Sequence, residues 1–297
     1  MGYVFRIEDA RHYDDWYLTE PGSSALLVEK EVLFKVWGPT SPQRVLDVGC
    51  GTGIFLDWFH RLGHCVAGID PSPSMLGIAH QRLRGLVPLD QGVAEDLPYE
   101  DNEFDTVALI TTLEFVDNPA GAIREACRVA RRHVLLGSLN KYSIIALQRR
   151  AEQLWRKDSY YRHARFYSVF ELQELAGKAL DGRPPLHWAT CLTMPLQILK
   201  YSCRMERSRF LHWHPFGHFI AMRVDLRYPL QMVQTPLFCE LPTGIGRRPL
   251  HSPCWHLPVE EKSAGREMSE DAPLRAAKSR QDGPMGFMSA SGAFPRG

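Results

Sequence analysis

VLDVGCGTG, residues 45–53, decides how the chain is read. Val45, Leu46 and Val48 form a short apolar run with β-branched members, the composition of a strand covered on both faces of a parallel sheet. Asp47 interrupts that run, and a carboxylate there is costly unless something satisfies it. Three glycines in five residues follow, Gly49, Gly51 and Gly53. The strand's carboxyl end is therefore expected to meet a polar ligand. Ile54, Phe55, Trp58, Phe59 and Leu62 then fall on one helical face, and Gly63 closes the helix.

The same order repeats outward from this unit. HCVAGID (64–70) reads as a second strand ending in another acid, followed by a helix with Ser72 as its cap and Pro73 in its first turn. A short third strand is expected within 86–93, a strong fourth in DTVALIT (105–111) and a fifth in HVLLGSL (133–139). Between the last two, Asn118 and Pro119 open a helix whose Ile123, Ala126, Cys127 and Ala130 face inward. FYSVFELQELAGKAL carries Ser168 and Glu171 at capping-box spacing, and PLHWATCLTM and GHFIAMRVDLRY supply two more strands. Strands alternating with helices predict an α/β fold: a Rossmann-like, doubly wound, seven-stranded sheet, mostly parallel with the last strand antiparallel and helices on both faces.

Around that core, residues 1–43 are expected to be N-terminal cap helices, including HYDDWY and an amphipathic segment over 24–37. Residues 44–240 form the main domain, within which 141–165 holds seven Lys or Arg against two acids and reads as a basic lid or insertion. From 241 to 297, few aliphatics and frequent Gly, Ser and Pro predict a disordered tail. A net charge of +1 gives no nucleic-acid or membrane signal. No uncharged run approaches the roughly 20 residues of a membrane span. The charged N-terminus and seven scattered cysteines, without a CxxC pair, fit a cytoplasmic protein.

Two ligand classes use strand, glycine turn and helix in this order: nicotinamide or flavin dinucleotides, and S-adenosylmethionine. Dinucleotide sites want GxGxxG so that a pyrophosphate rests on the helix N-terminus. Here Ile54 stands where the third glycine should fall, leaving GxGxG. S-adenosylmethionine has no phosphate. It needs close backbone approach, a carboxylate near its ammonium and another for its ribose hydroxyls, and Asp47 and Asp70 stand at the ends of neighbouring strands.

VLDVGCGTG, GIDPSPSML, GVAEDLPYEDNEFDTV and ITTLEFVDNP, in this order, resemble the class I S-adenosylmethionine-dependent methyltransferases. The branch is the type 11 one, similar to ubiquinone and menaquinone biosynthesis C-methyltransferases, and the resemblance covers about residues 40–140. It implies that Asp47 lies near the cofactor's amino group while Gly49, Cys50, Gly51 and Gly53 wrap its methionine part. It further implies Asp70 on the ribose, Pro71 and Met75 along the adenine, and Ala94, Glu95 and Asp96 at the base's edge. Thr111 would touch the cofactor from below. Two departures stand out. Val93 replaces an acid that often accepts from the adenine amino group, and the proline and glycine turn before the fifth strand is missing, so that a tight polar turn is expected at Arg131 and Arg132.

The catalytic candidates are Glu114, as a base or polar anchor, and Tyr13, which with Tyr17 resembles an aromatic segment that closes over cofactor. Each has a bland alternative: Glu114 bonding the following helix's N-terminus, and the tyrosines packing in the core. HWHPFGH (212–218) and HSPCWH (251–256) invite a zinc site. The second lies in the expected tail, and we assign no metal. No GxSxG elbow supports a hydrolase. The expected function is methyl transfer from S-adenosylmethionine to a hydrophobic or acidic small molecule, by direct displacement at the sulfonium methyl. The alternatives are a non-catalytic cofactor-binding or interaction protein on the same fold, and a nicotinamide oxidoreductase.

Overall fold

The structure is a computed structural model that describes residues 3–146, 164–193 and 214–226. The tail expected over 241–297, the HSPCWH segment and 147–163 of the basic stretch lie outside the described residues. Helices α1 (Ile7–Leu18) and α2 (Glu20–Trp37) precede β1 (Arg44–Val48), α3 (Ile54–Arg61), β2 (Cys65–Asp70) and α4 (Pro73–Arg82). Then come β3 (Leu89–Gln91), β4 (Phe104–Ile110), α5 (Pro119–Val129), β5 (Ala130–Leu139), α6 (Val169–Ala179), β6 (Leu186–Cys191) and β7 (Phe219–Asp225). The seven strands form one sheet in the order β3-β2-β1-β4-β5-β7-β6. The pairings among β1 to β5 are parallel, and β7 runs antiparallel between β5 and β6. The expected α/β sheet, with its last strand reversed, is what forms.

Its chemistry explains the order. Leu46, Val48, Val107, Leu109, Val134 and Leu136 face one apolar core with α5 and α6, while Val45, Ala108 and Leu135 face a second core with α2 and α3. Helices therefore cover both faces, and every carboxyl end from β1 to β5 opens on one edge. That edge is where an open α/β sheet binds ligands, beside the reversal of strand order between β1 and β4.

The caps expected from sequence are present. Ser72 Oγ accepts from Met75 N, Asn118 Oδ1 from Gly121 N, and Ser168 and Glu171 form a reciprocal capping box. Three expectations are corrected. α2 begins at Glu20 rather than near residue 24, because Thr19 caps it by accepting from Gly22 N. The polar turn expected at Arg131 and Arg132 does not exist, since α5 passes at Val129 directly into β5 at Ala130. A shift in register between Phe104 and Thr106 absorbs the change of direction, and Arg132 pairs with Asp105. Leu62, expected on the buried face of α3, is 41% exposed because the helix ends at Arg61.

Candidate active site

The glycine turn is built by backbone conformation. Gly49, Gly51 and Gly53 have φ of +71°, +54° and +79°, where a side chain is strained. Their reasons differ. A Cβ on Gly49 would stand 2.5 Å from Thr112 Cγ2, and one on Gly53 would stand 3.1 Å from Ala79 Cβ. A Cβ on Gly51 would meet only Met75 Sδ, at 4.0 Å, because Gly51 borders open space. Gly49 N and Cys50 N both donate to Ile69 O, tying the turn to β2. The Cys50 side chain is buried in the core over Gly68, so that only its backbone belongs to the turn.

Two acids end β1 and β2. Asp70 Oδ2 accepts from Gly51 N at 2.9 Å and Oδ1 from Ser72 N at 2.8 Å, so one carboxylate braces both the turn and the start of α4. Burial raises its pKa, and these two bonds pull against that rise. Asp47 is 2% exposed. Burial first, and the charge of Asp70 second, push it up to about 8. A cation seated beside the pair would reverse that shift.

The N-terminus crosses this edge as a strap. Tyr3 N donates to Phe115 O after β4, and Ser72 Oγ after β2 donates to Phe5 O at 2.7 Å. Phe5 sits edge-on to Phe115 with ring centroids 4.8 Å apart. α1 is pinned behind the strap by Asp14, whose two oxygens accept from Thr52 Oγ1 and the Arg82 guanidinium, each at 2.6 Å. Arg82 Nε also donates to Thr52 O at 2.8 Å, so α1, the glycine turn and α4 share one latch.

Two cavities lie under the strap and share Phe5, Gly49, Asp70, Thr111 and Phe115. The first runs past Pro71, Val93, Ala94 and Glu95. The second is walled by Tyr13, Trp16 and Tyr17 from α1, with Gly51, Met75, Glu29, Leu192 and His218. Thr111, in both walls, holds φ of +53°, an uncommon conformation for a non-glycine residue and one concentrated at functional sites.

Of the residues singled out from sequence, Gly49, Gly51, Asp70, Pro71, Met75, Ala94, Glu95, Thr111 and Tyr13 line the cavities. Asp47, Cys50, Gly53, Asp96 and Glu114 do not. Asp96 is exposed beside the first cavity. Glu95 Oε1 accepts from Asp117 N and Asn118 N, so it, rather than Glu114, holds the approach to α5. Glu114 is 2% exposed and its Oε1 takes Ser138 Oγ and Leu139 N at 2.8 and 2.7 Å. Burial pushes it up to about 7 against those two bonds. Its position is a clamp on the end of β5. Among the described residues no group of three or more His, Cys, Asp or Glu is arranged to hold a metal.

Comparison with known proteins gives this geometry its family. Residues 46–136 match the family described as methyltransferase domain. An S-adenosylmethionine-dependent methyltransferase of Thermotoga maritima, described as a possible histamine N-methyltransferase, superposes with TM-score 0.59 and 25% identity over 74% of this chain and 96% of that one. An uncharacterized protein of Methanocaldococcus jannaschii is 31% identical over 174 residues, 56% of this chain and 75% of that protein. The chain belongs to the class I S-adenosylmethionine-dependent methyltransferases. A demethylmenaquinone methyltransferase of Tropheryma whipplei is 38% identical over 98 residues, 33% of this chain and 41% of that enzyme. The match to this relative thus spans less than half its length and leaves out the part beyond the shared core.

In this methyltransferase the latch gives a prediction. Asp14→Ala removes two short bonds from a partly exposed site, so stability should fall by only about 1 kcal/mol. Exchange of S-adenosylmethionine should quicken several-fold, because α1 no longer holds the turn closed. Stopped-flow displacement by S-adenosylhomocysteine reads the exchange, and an unchanged off-rate would show that α1 does not gate the cavity.

Proposed function

We propose that the first cavity binds S-adenosylmethionine through its adenosyl part and that the aromatic cavity holds a hydrophobic, hydroxylated aromatic acceptor. The carrying observation is the pair of cavities meeting at Gly49, Asp70 and Thr111. In this reading Pro71 and Ala94 flank the adenine, Asp70 accepts from the ribose, and the Gly49 to Gly53 turn carries the methionine part. The residues present suit that ligand: a close backbone without side chains at Gly49 and Gly51, the buried Asp70 carboxylate in the cavity wall, and Asp47 buried behind it as a second source of negative charge for a cationic group. No helix among the described residues is long and apolar enough to cross a membrane.

When bound, S-adenosylmethionine supplies an electrophilic methyl group, so the chain has mainly to align a nucleophile and exclude water. Alignment alone is worth on the order of 7–11 kcal/mol in favourable cases. Tyr13, Trp16 and Tyr17 offer flat apolar walls to a ring, and the strap through Phe5 and Phe115 covers the reacting edge. A hydrophobic ring acceptor also agrees with the name of the demethylmenaquinone methyltransferase to which the core is similar. The domain division, with 1–43 as cap, 44–240 as catalytic domain and 241–297 as tail, is part of this proposal. Turnover is tested with 1,4-naphthalenediol and histamine as competing acceptors, by mass spectrometry of the products. Methylated naphthalenediol is expected, and exclusive methylation of histamine would contradict the acceptor class.

The acid pair adds a pH signature. Because folding raises Asp47 to about 8, its contribution to the stability of the empty protein is present at low pH and is lost as pH rises towards 8. Asp70 and Glu114, also raised, act in the same direction. A cationic cofactor favours ionised Asp47, so binding near neutral pH should release a proton, and affinity should rise by up to about tenfold per pH unit below that value. Calorimetry in buffers of different ionisation enthalpy measures the release. Asp47→Asn should abolish it, and proton uptake in the native protein would contradict the placement.

A further inference from the structure

His218, at the entry to β7, is held more firmly than a wall residue requires. Its N–H donates to Leu192 O at 3.1 Å, and its carbonyl accepts from Asn140 N at 2.7 Å. Leu192 itself holds φ of +59°, a strained conformation that persists only where the surroundings impose it. Gly217, just before the histidine, lies so close to β6 that a Cβ there would stand 2.5 Å from Cys191 O. The side chain of Asn140, fully buried after β5, donates to Pro215 O and Gly217 O at 2.7 Å each. Three separate parts of the chain thus converge to place one imidazole.

The ring is oriented as well. Ser143 Oγ lies 2.8 Å from His218 Nδ1, 3.0 Å from Asn140 O and 3.0 Å from Ala146 N. The Asn140 carbonyl can only accept and the Ala146 amide can only donate. With the hydroxyl proton directed to Asn140 O, Oγ accepts from Ala146 N and is placed to accept from the imidazole Nδ1–H. That tautomer carries its lone pair on Nε2. His218 lines the aromatic cavity, where Glu29, the buried carboxylate of α2, is a second polar group; Tyr13, Tyr17 and Asp70 are the other titratable groups of that wall. The nearby Lys141 is paired with Glu171 at 2.7 Å.

We propose that His218 is the proton acceptor for the acceptor's aromatic hydroxyl, held in the required tautomer by Ser143. The inference rests on the acceptor class proposed above. The hydroxyl proton passes to imidazole Nε2, and the oxygen's electron pair, or the ring carbon conjugated with it, forms the new bond to the methyl carbon. The carbon–sulfur bond breaks with its pair going to sulfur, and S-adenosylhomocysteine leaves. Attack by a ring carbon is completed when that carbon loses its own proton to solvent. His218 leaves as imidazolium and returns the proton to solvent when product departs.

The test uses full-length protein with S-adenosylhomocysteine and 4-nitrophenol, whose phenol and phenolate absorb at different wavelengths. At a pH where the dye in solution is mostly neutral, the native complex should hold it largely as phenolate. His218→Asn, which keeps a polar bond to Ser143 but has no ionisable nitrogen, should bind it as neutral phenol. With 1,4-naphthalenediol and S-adenosylmethionine the same variant should lose about 100-fold in kcat, with KM changed by less than about threefold. His218→Ala should recover part of the loss with added imidazole. Ser143→Ala should show a smaller loss of kcat and of bound phenolate, and carries the test if His218→Asn does not fold. Unchanged phenolate and kcat in a folded variant overturn the inference while leaving the methyltransferase reading intact. Native protein that binds S-adenosylmethionine, yet neither binds 4-nitrophenol nor methylates the diol, overturns it together with the acceptor class.

Discussion

Asp70→Ala is expected to weaken S-adenosylmethionine binding by about 100-fold or more, the cost of about two hydrogen bonds to a charged group. Both carboxylate oxygens are engaged in the structure, one by Gly51 N and one by Ser72 N, and the residue lines both cavities. Substitution therefore removes the ribose acceptor and loosens the turn and the start of α4 together. Asp70→Asn separates these roles. It keeps one carbonyl acceptor, so its fold should survive while affinity falls by an intermediate factor. Thermal unfolding should shift more in Asp70→Ala, which leaves Gly51 N and Ser72 N without their acceptor, than in Asp70→Asn, which keeps one. Affinity for Asp70→Ala within about threefold of native, by calorimetry, would remove Asp70 from the cofactor site.

Gly49→Ala should be the most damaging single methyl in the turn. The new Cβ would stand 2.5 Å from Thr112 Cγ2 and 2.6 Å from its Oγ1. Thr112 cannot simply rotate away, because its hydroxyl donates to Val48 O at 2.7 Å. Overpacking of this kind costs about 1–3 kcal/mol, and the left-handed φ adds about 1–2 kcal/mol. The midpoint of urea unfolding reads the sum. Thr112→Ala in the same chain removes two of the three clashing atoms and should restore part of it, a coupling that a double-mutant cycle measures. Gly51→Ala is the informative contrast. Its Cβ meets no protein atom closer than 4.0 Å, so it should cost only the backbone strain while obstructing the cofactor. Additive behaviour of Gly49→Ala and Thr112→Ala would contradict the packing argument.

The sheet and half of the lining of the candidate site were legible because their signals are local. Gly49, Gly51, Asp70, Pro71 and Thr111 each stand at a strand end or in the turn that follows, where the β-period fixes which edge they reach, and Met75 stands in the first turn of α4 just beyond. Caps at Ser72, Asn118 and Ser168 were readable for the same reason, each being completed within three residues. What escaped depends on distant partners. The end of α5 carries no breaker, and only the pairing of β4 with β5 shows that Ala130 is already strand. Glu114 shares its stretch with the site, yet its partners Ser138 and Leu139 lie on another strand. The histidines of HWHPFGH attracted a metal reading, and the feature that gives His218 its meaning, Ser143, is 75 residues away. A serine three residues after Asn140, following a strand, is the signal that was there to be noticed.

The central claim is that the two cavities divide the work, adenosyl group in one and acceptor in the other. A crystal structure with S-adenosylhomocysteine tests it most directly. The account predicts adenine between Pro71 and Ala94, the ribose on Asp70, and the sulfur directed towards the chamber lined by Tyr13, Trp16 and His218. Adenine seated among those aromatic residues, or a nucleoside lying away from Asp70, would contradict it.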